Sequence, residues 1–123
     1  MANTEVEFSI LAGAGAPIRT YKQGEIIFRE GDPATVLYVI KSGRVDITTG
    51  NRQLATLDVN GIFGEMALID KSPRSATVTA VTDVELVPVD ERQFLFLVSQ
   101  TPFFALKVMR VLAGRLRVTN KAM

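Results

Sequence analysis

Residues 35–49 read TVLYVIKSGRVDITT, and the fold turns on how this stretch is read. β-branched and aromatic residues crowd both halves, and no apolar stripe of helical period runs through them. Ser42-Gly43 marks the turn between the halves, so two strands joined at that dipeptide are expected. Upstream, GEIIFREGD at 24–32 sets Ile26, Ile27 and Phe28 between Gly24 and Gly31. Downstream, Gln53 to Leu57 and the alternating run Thr82 to Val89 supply further strands. From Ile18 onward the turn residues recur at roughly the eight-to-twelve-residue spacing of all-β domains. About eight short strands are therefore expected, closing into a compact roll or barrel.

Composition limits what such a roll can do. The chain has 123 residues, 47% of them hydrophobic, which suffices for one core and a single domain. Fourteen basic residues against 13 acidic ones leave a net charge of +1, so no strong overall field draws nucleic acid or an anionic membrane surface. Anion selectivity has to be local. Cysteine and histidine are both absent, which removes disulfides, thiolate nucleophiles, Cys or His metal ligands and the usual neutral-pH proton shuttle. No catalytic residue or metal site is expected, and the chain is read as a non-enzyme. No apolar run approaches the roughly 20 residues of a membrane span, and no signal segment is evident. A cytoplasmic location follows as the expectation.

Helices are expected at both ends. Val6, Phe8, Ile10 and Leu11 give a short helical pattern stopped by AGAGAP at 12–17. Asp90 with Gln93 makes a capping box ahead of ERQFLFLVSQ, and Thr101-Pro102 starts a second helix with proline where its missing N–H costs nothing. In that last helix apolar residues cover more than half the circumference, more than one packing face needs. The surplus is expected to meet the ligand, a regulatory partner or a second copy of the chain as a homodimer. Lys107, Arg110, Arg117 and Lys121 line the remaining arc and are read as a solvated face. The organisation expected is a helical segment at 1–15, a roll at 16–89 and helices at 90–123, all one domain.

The sharpest chemistry lies in FGEMALIDKSPRSATVTA at 63–80. Gly64 lacks a Cβ, so its backbone can approach a ligand, and the residues after it can open a turn of helix whose free N–H groups face an anion. Pro73 fixes the chain just before Arg74, whose fork of donors suits two phosphate oxygens, and Ser75 adds a hydroxyl and an N–H. Glu65 would repel that phosphate at close range, so it is expected some way off, accepting from neutral hydroxyls such as those of a sugar. A phosphate and a sugar together point to a nucleotide. By contrast Arg29, Glu30 and Asp32 read as a solvated turn, the alternative being that one of the acids orients Arg74 from behind.

Phe63-Gly64-Glu65-Met66-Ala67-Leu68 followed by Pro73-Arg74-Ser75-Ala76-Thr77 resembles the phosphate-binding cassette of cyclic nucleotide-binding domains, as in bacterial cAMP receptor proteins and protein kinase A regulatory subunits. GEIIFREGD, LYVIKSGRVDI and the helices after Val89 resemble the rest of that family's domain. The resemblance implies a mainly β fold, an eight-stranded antiparallel β-roll of jelly-roll type with a short N-terminal helix, a short cassette helix and two C-terminal helices. It implies a cyclic nucleotide ligand, cAMP first and cGMP second, held by Phe63, Gly64, Glu65, Met66, Ala67, Arg74, Ser75 and Ala76. Glu65 would take the ribose 2′-hydroxyl and Arg74 the cyclic phosphate, with Gly64, Ala67 and Ser75 adding backbone groups. Asn60-Gly61 departs from the family's frequent Gly-Asp, a local change of turn that touches no expected contact.

The function expected is a ligand-operated regulator whose C-terminal helices move. An empty pocket of the same fold, working as a protein interaction module through the apolar last helix, is the alternative. No DNA-reading helix-turn-helix pattern is present in this chain, and a jelly-roll metal enzyme lacks the histidines it would need.

Overall fold

The computed structural model describes residues 17–122, with side chains described as far as residue 114. The expected helical segment at 1–15 lies outside the described residues.

Eight strands form two four-stranded antiparallel sheets. They are β1 (Arg19–Tyr21), β2 (Ile26–Phe28), β3 (Leu37–Ser42), β4 (Val45–Thr49), β5 (Arg52–Leu57), β6 (Ile62–Phe63), β7 (Thr77–Ala80) and β8 (Val84–Val89). The first sheet has the order β1-β8-β3-β6 and the second β2-β7-β4-β5. Helix α1 (Met66–Ile69) follows β6, and α2 (Glu91–Gln100) and α3 (Pro102–Ala122) follow β8.

The stretch 35–49 does give two strands, yet they do not pair with each other: β3 joins β8 and β6, while β4 joins β5 and β7. The Ser42-Gly43 turn therefore carries the chain between sheets. Gly43 is required there, since its φ is +88° and a Cβ would fall 2.3 Å from the Asp83 carbonyl oxygen.

Leu37, Tyr38, Val39 and Ile40 are all buried because β3 has protein on both faces. Tyr38 and Ile40 point into the roll with Val45, Ile47, Phe63, Val78 and Leu86. Leu37 and Val39 point outward to a second cluster with Ile62, Val87, Leu97, Phe104 and Val108, which seats α2 and α3 on the sheet.

Both helix starts follow the sequence expectation. The Asp90 carboxylate accepts from the Gln93 N–H at 2.8 Å, and the Gln93 side-chain oxygen accepts from the Asp90 N–H at 3.0 Å. Pro102 is the first residue of α3. No single helix among the described residues is long and apolar enough to cross a membrane.

Candidate functional site

β6 delivers Phe63 into the core against Tyr38, its partner in β3. Gly64 then turns with φ +77° and releases the chain into α1. Leu68 and Ile69 donate to the Glu65 carbonyl at 3.1 and 3.3 Å, and Asp70 donates to that of Met66 at 3.1 Å. Residues 64–67 at this turn and residues 72–76 of the following loop line a cavity of about 700 Å³. All eight residues expected to hold a ligand line this cavity: Phe63, Gly64, Glu65, Met66, Ala67, Arg74, Ser75 and Ala76.

Arg74 is 7% exposed and Glu65 2% exposed, the two buried charged residues of the described core. The loop that holds Arg74 is clamped at its backbone: Gly31 N–H donates to the Arg74 carbonyl at 2.8 Å, and Arg74 N–H donates to that of Asp32 at 2.9 Å. Its side chain donates from Nη1 to the Gly64 carbonyl at 3.2 Å and lies over the Phe28 ring, with Cζ 4.0 Å from the centroid. Nε is buried with no hydrogen-bond partner. Burial pulls the guanidinium's pKa down, and Tyr38, Asp32 and Glu65 oppose that pull electrostatically. A buried cation with a spare donor is a receptor for an anion, because the desolvation cost is already present in the folded protein.

Two details differ from the sequence reading. The Ala67 N–H lies 3.3 Å from the Gly64 carbonyl and donates to it, so in this state it is engaged within the cassette. Asn60 and Gly61 also line the cavity. Asn60 holds φ +77°, a conformation glycine adopts easily and asparagine tolerates, and the side-chain oxygen of Asn60 is buried without a partner.

α3 contributes Lys107, Arg110, Val111, Leu112 and Gly114 to the lining of the same cavity. Lys107 and Arg110, read from the sequence as part of a solvated face, thus border the cavity, and Lys107 is half-buried. Their helix packs against the sheet through Phe104 and Val108, so the turn that follows reaches over the cavity. Leu54, Ala55 and Leu57 of β5 add an apolar flank. The cavity thus combines charged groups, Glu65 and Arg74 of the cassette and Lys107 and Arg110 of α3, with an apolar lining from Leu54, Ala55, Leu57, Val111 and Leu112, which suits a ligand that is anionic in one part and apolar in another.

The model of the cyclic nucleotide-binding domain matches residues 18–101. The chain is 38% identical over 104 residues to a cyclic AMP receptor protein of Thermus thermophilus, covering 80% of this chain and 48% of that protein. It spans about half the length of the bacterial cAMP-responsive regulators it matches and a smaller share of the channel and kinase relatives. The crystal structure of the Thermus thermophilus catabolite activator protein superposes with a TM-score of 0.80 at 35% identity, covering 99% of this chain and 58% of that one. An EAL enzyme in its cAMP-bound form superposes with a TM-score of 0.63 at 41% identity, covering 86% of this chain and 29% of the other. Its cGMP-bound form gives 0.64 at 40%, covering 86% and 30%. The match across both sheets and α2, together with the cassette geometry, establishes that the chain belongs to the cyclic nucleotide-binding domain family and is a regulatory domain of that kind.

Proposed function

We propose that this chain is a sensor for cAMP, with Arg74 on the cyclic phosphate and Glu65 on the ribose 2′-hydroxyl. The observation that carries the proposal is the buried guanidinium of Arg74, which holds an unpartnered Nε on the wall of a cavity shared with buried Glu65. Phe63, Gly64, Met66, Ala67, Ser75 and Ala76 complete the contact surface. The base lies between the β5 flank and α3. cAMP is favoured over cGMP because the cyclic AMP receptor protein and the cAMP-activated regulator match 80% and 81% of this chain, whereas the cGMP-dependent protein kinases match 63% and 61% of it.

Residues 1–123 act as one regulatory unit in the cytoplasm, with no catalytic step of their own. Closure of the cassette on the phosphate draws on α3, whose Val111, Leu112 and Gly114 line the same cavity. A ligand shifts a helix equilibrium only as far as its contacts differ between the two positions. Two charge-assisted hydrogen bonds made in one position alone, about 1.5 to 3 kcal/mol each, give a population ratio of 10² or more.

A thermal-shift series with cAMP, cGMP and AMP tests the assignment. Ligand at 100 times its dissociation constant adds about 2.7 kcal/mol, which for a domain near this size is a rise of roughly 10 °C. The expected result is such a rise with cAMP, a smaller one with cGMP at equal concentration and none with AMP. No shift with any of the three would sink the proposal in favour of an interaction module, presenting its exposed Leu95, Phe96, Phe103 and Met109 to a partner.

A further inference from the structure

The hydrogen bond of the Arg74 side chain goes to a neutral carbonyl, and the group beneath its guanidinium plane is a ring. That ring, Phe28, ends β2, where the pairing with β7 slips between Ile26 and Phe28. A slip of this kind bends a strand and re-aims the side chain beside it. Phe28 is tied on its other side to two more rings. Its centroid lies 6.1 Å from Tyr38 and 5.8 Å from Phe63, and Tyr38 and Phe63 lie 5.4 Å apart. Tyr38 and Phe63 are core residues, 4% and 1% exposed, so this shelf of three rings cannot tilt without disturbing the roll. Arg19 fixes the far end, donating from Nη1 to the Tyr38 hydroxyl at 2.7 Å. Arg74 also reaches over Tyr38, with Cζ 5.7 Å from that centroid.

We propose that Phe28 is the positioning residue for Arg74, holding the guanidinium plane by cation–π attraction so that the donors stay available to an anion. A ring face against the guanidinium, with the Asp32 and Glu65 carboxylates acting on the same cation electrostatically, has a chemical reason. A carboxylate at this distance would neutralise the guanidinium and occupy the N–H groups that an incoming phosphate needs. The face of a ring attracts the same cation and takes none of its donors. Gly64 cooperates by leaving room: a Cβ there would fall 2.6 Å from Arg74 Nη1 and 3.6 Å from the Phe28 Cε2. The guanidinium is thus held between a ring face and a bare backbone, oriented before any ligand arrives. The effect on nucleotide affinity rests on the function proposed above, whereas the placement of Arg74 by the ring does not.

The test compares the unmodified chain with Phe28→Leu, which keeps an apolar side chain of similar bulk, and Phe28→Tyr, which keeps the ring. In the ligand-free protein the Nε–H proton resonance of Arg74 should lie upfield through ring-current shielding, lose that shift in Phe28→Leu and retain it in Phe28→Tyr. Affinity for cAMP should fall about 3- to 30-fold in Phe28→Leu, the range of a partly desolvated cation–π contact written as a ratio, and recover in Phe28→Tyr. An unshifted Arg74 resonance in the unmodified chain would overturn the proposal, even were Phe28→Leu unable to fold. So would a Phe28→Leu variant that keeps the shielded resonance, or that binds cAMP as tightly as the unmodified chain. A chain that binds no cyclic nucleotide but shows the shielded, Phe28-dependent resonance would refute the assigned ligand and uphold the positioning role.

Discussion

Arg74→Met is expected to weaken cAMP binding by a factor of about 10² to 10⁴, while leaving the ligand-free chain nearly as stable as before. The first half follows from the loss of two charge-assisted hydrogen bonds of about 1.5 to 3 kcal/mol each, at 1.4 kcal/mol per decade of affinity. The second half follows from what Arg74 does without ligand. It is 7% exposed, one of its nitrogens has no partner, and its hydrogen bond to the Gly64 carbonyl is a neutral-acceptor contact. Methionine fills a similar volume and adapts to the surface of Phe28 without an ion to desolvate. The melting temperature of the empty chain should stay within about 4 °C of the parent, a change of roughly 1 kcal/mol in a domain of this kind. Calorimetric titration and thermal melts of the two proteins check both halves. A variant that melts far lower would show Arg74 to be a structural residue. One that binds cAMP undiminished would show that the phosphate goes elsewhere.

Gly64→Ala should lower cAMP affinity by about 10- to 100-fold through a different route. The backbone at Gly64 has φ +77°, which costs an L-residue about 1 to 2 kcal/mol. The added Cβ would sit 2.6 Å from Arg74 Nη1. That nitrogen is the far end of a flexible side chain, so the collision is relieved by moving the guanidinium off the Gly64 carbonyl and off its ring. The stability cost is therefore that of the backbone, about 1 to 2 kcal/mol, and the functional cost comes in addition, since one of the two phosphate contacts is misplaced. Titration of Gly64→Ala beside a melt separates the two. Equal affinity to the parent would mean that Arg74 has freedom the structure does not give it.

Much of this was legible in the sequence, for reasons that differ from residue to residue. The β-branched and aromatic residues around Leu37 to Ile40 announced a strand, and all four are buried because β3 has protein on both faces. Asp90, Gln93 and Pro102 announced two helix starts through hydrogen-bonding requirements that are purely local. The cassette residues were legible from Gly64 and Pro73-Arg74-Ser75, where backbone freedom, backbone rigidity and a forked cation occur in a short span. The pairing of β3 and β4 was not. A Ser-Gly turn between two β-rich runs looks like a hairpin, and what holds β4 in the opposite sheet is its pairing with β5 and with β7, the latter far along the chain. Phe28 read as an ordinary strand residue for the same reason. Its relation to Arg74 depends on a slip in the β2–β7 pairing that leaves no local trace. Arg110 is exposed, as read, while Lys107 looked solvated and is half-buried because a helical wheel carries no information about which arc the cavity will face. Contacts close in sequence could be read, and those set by the closing of the roll could not.

The most direct test is a crystal structure of this chain with cAMP bound. Two phosphate oxygens are expected within hydrogen-bond distance of the Arg74 guanidinium, still resting on Phe28, with the ribose 2′-hydroxyl donating to Glu65. A nucleotide whose phosphate faces solvent or another cation, with Arg74 still joined only to the Gly64 carbonyl, would contradict that placement.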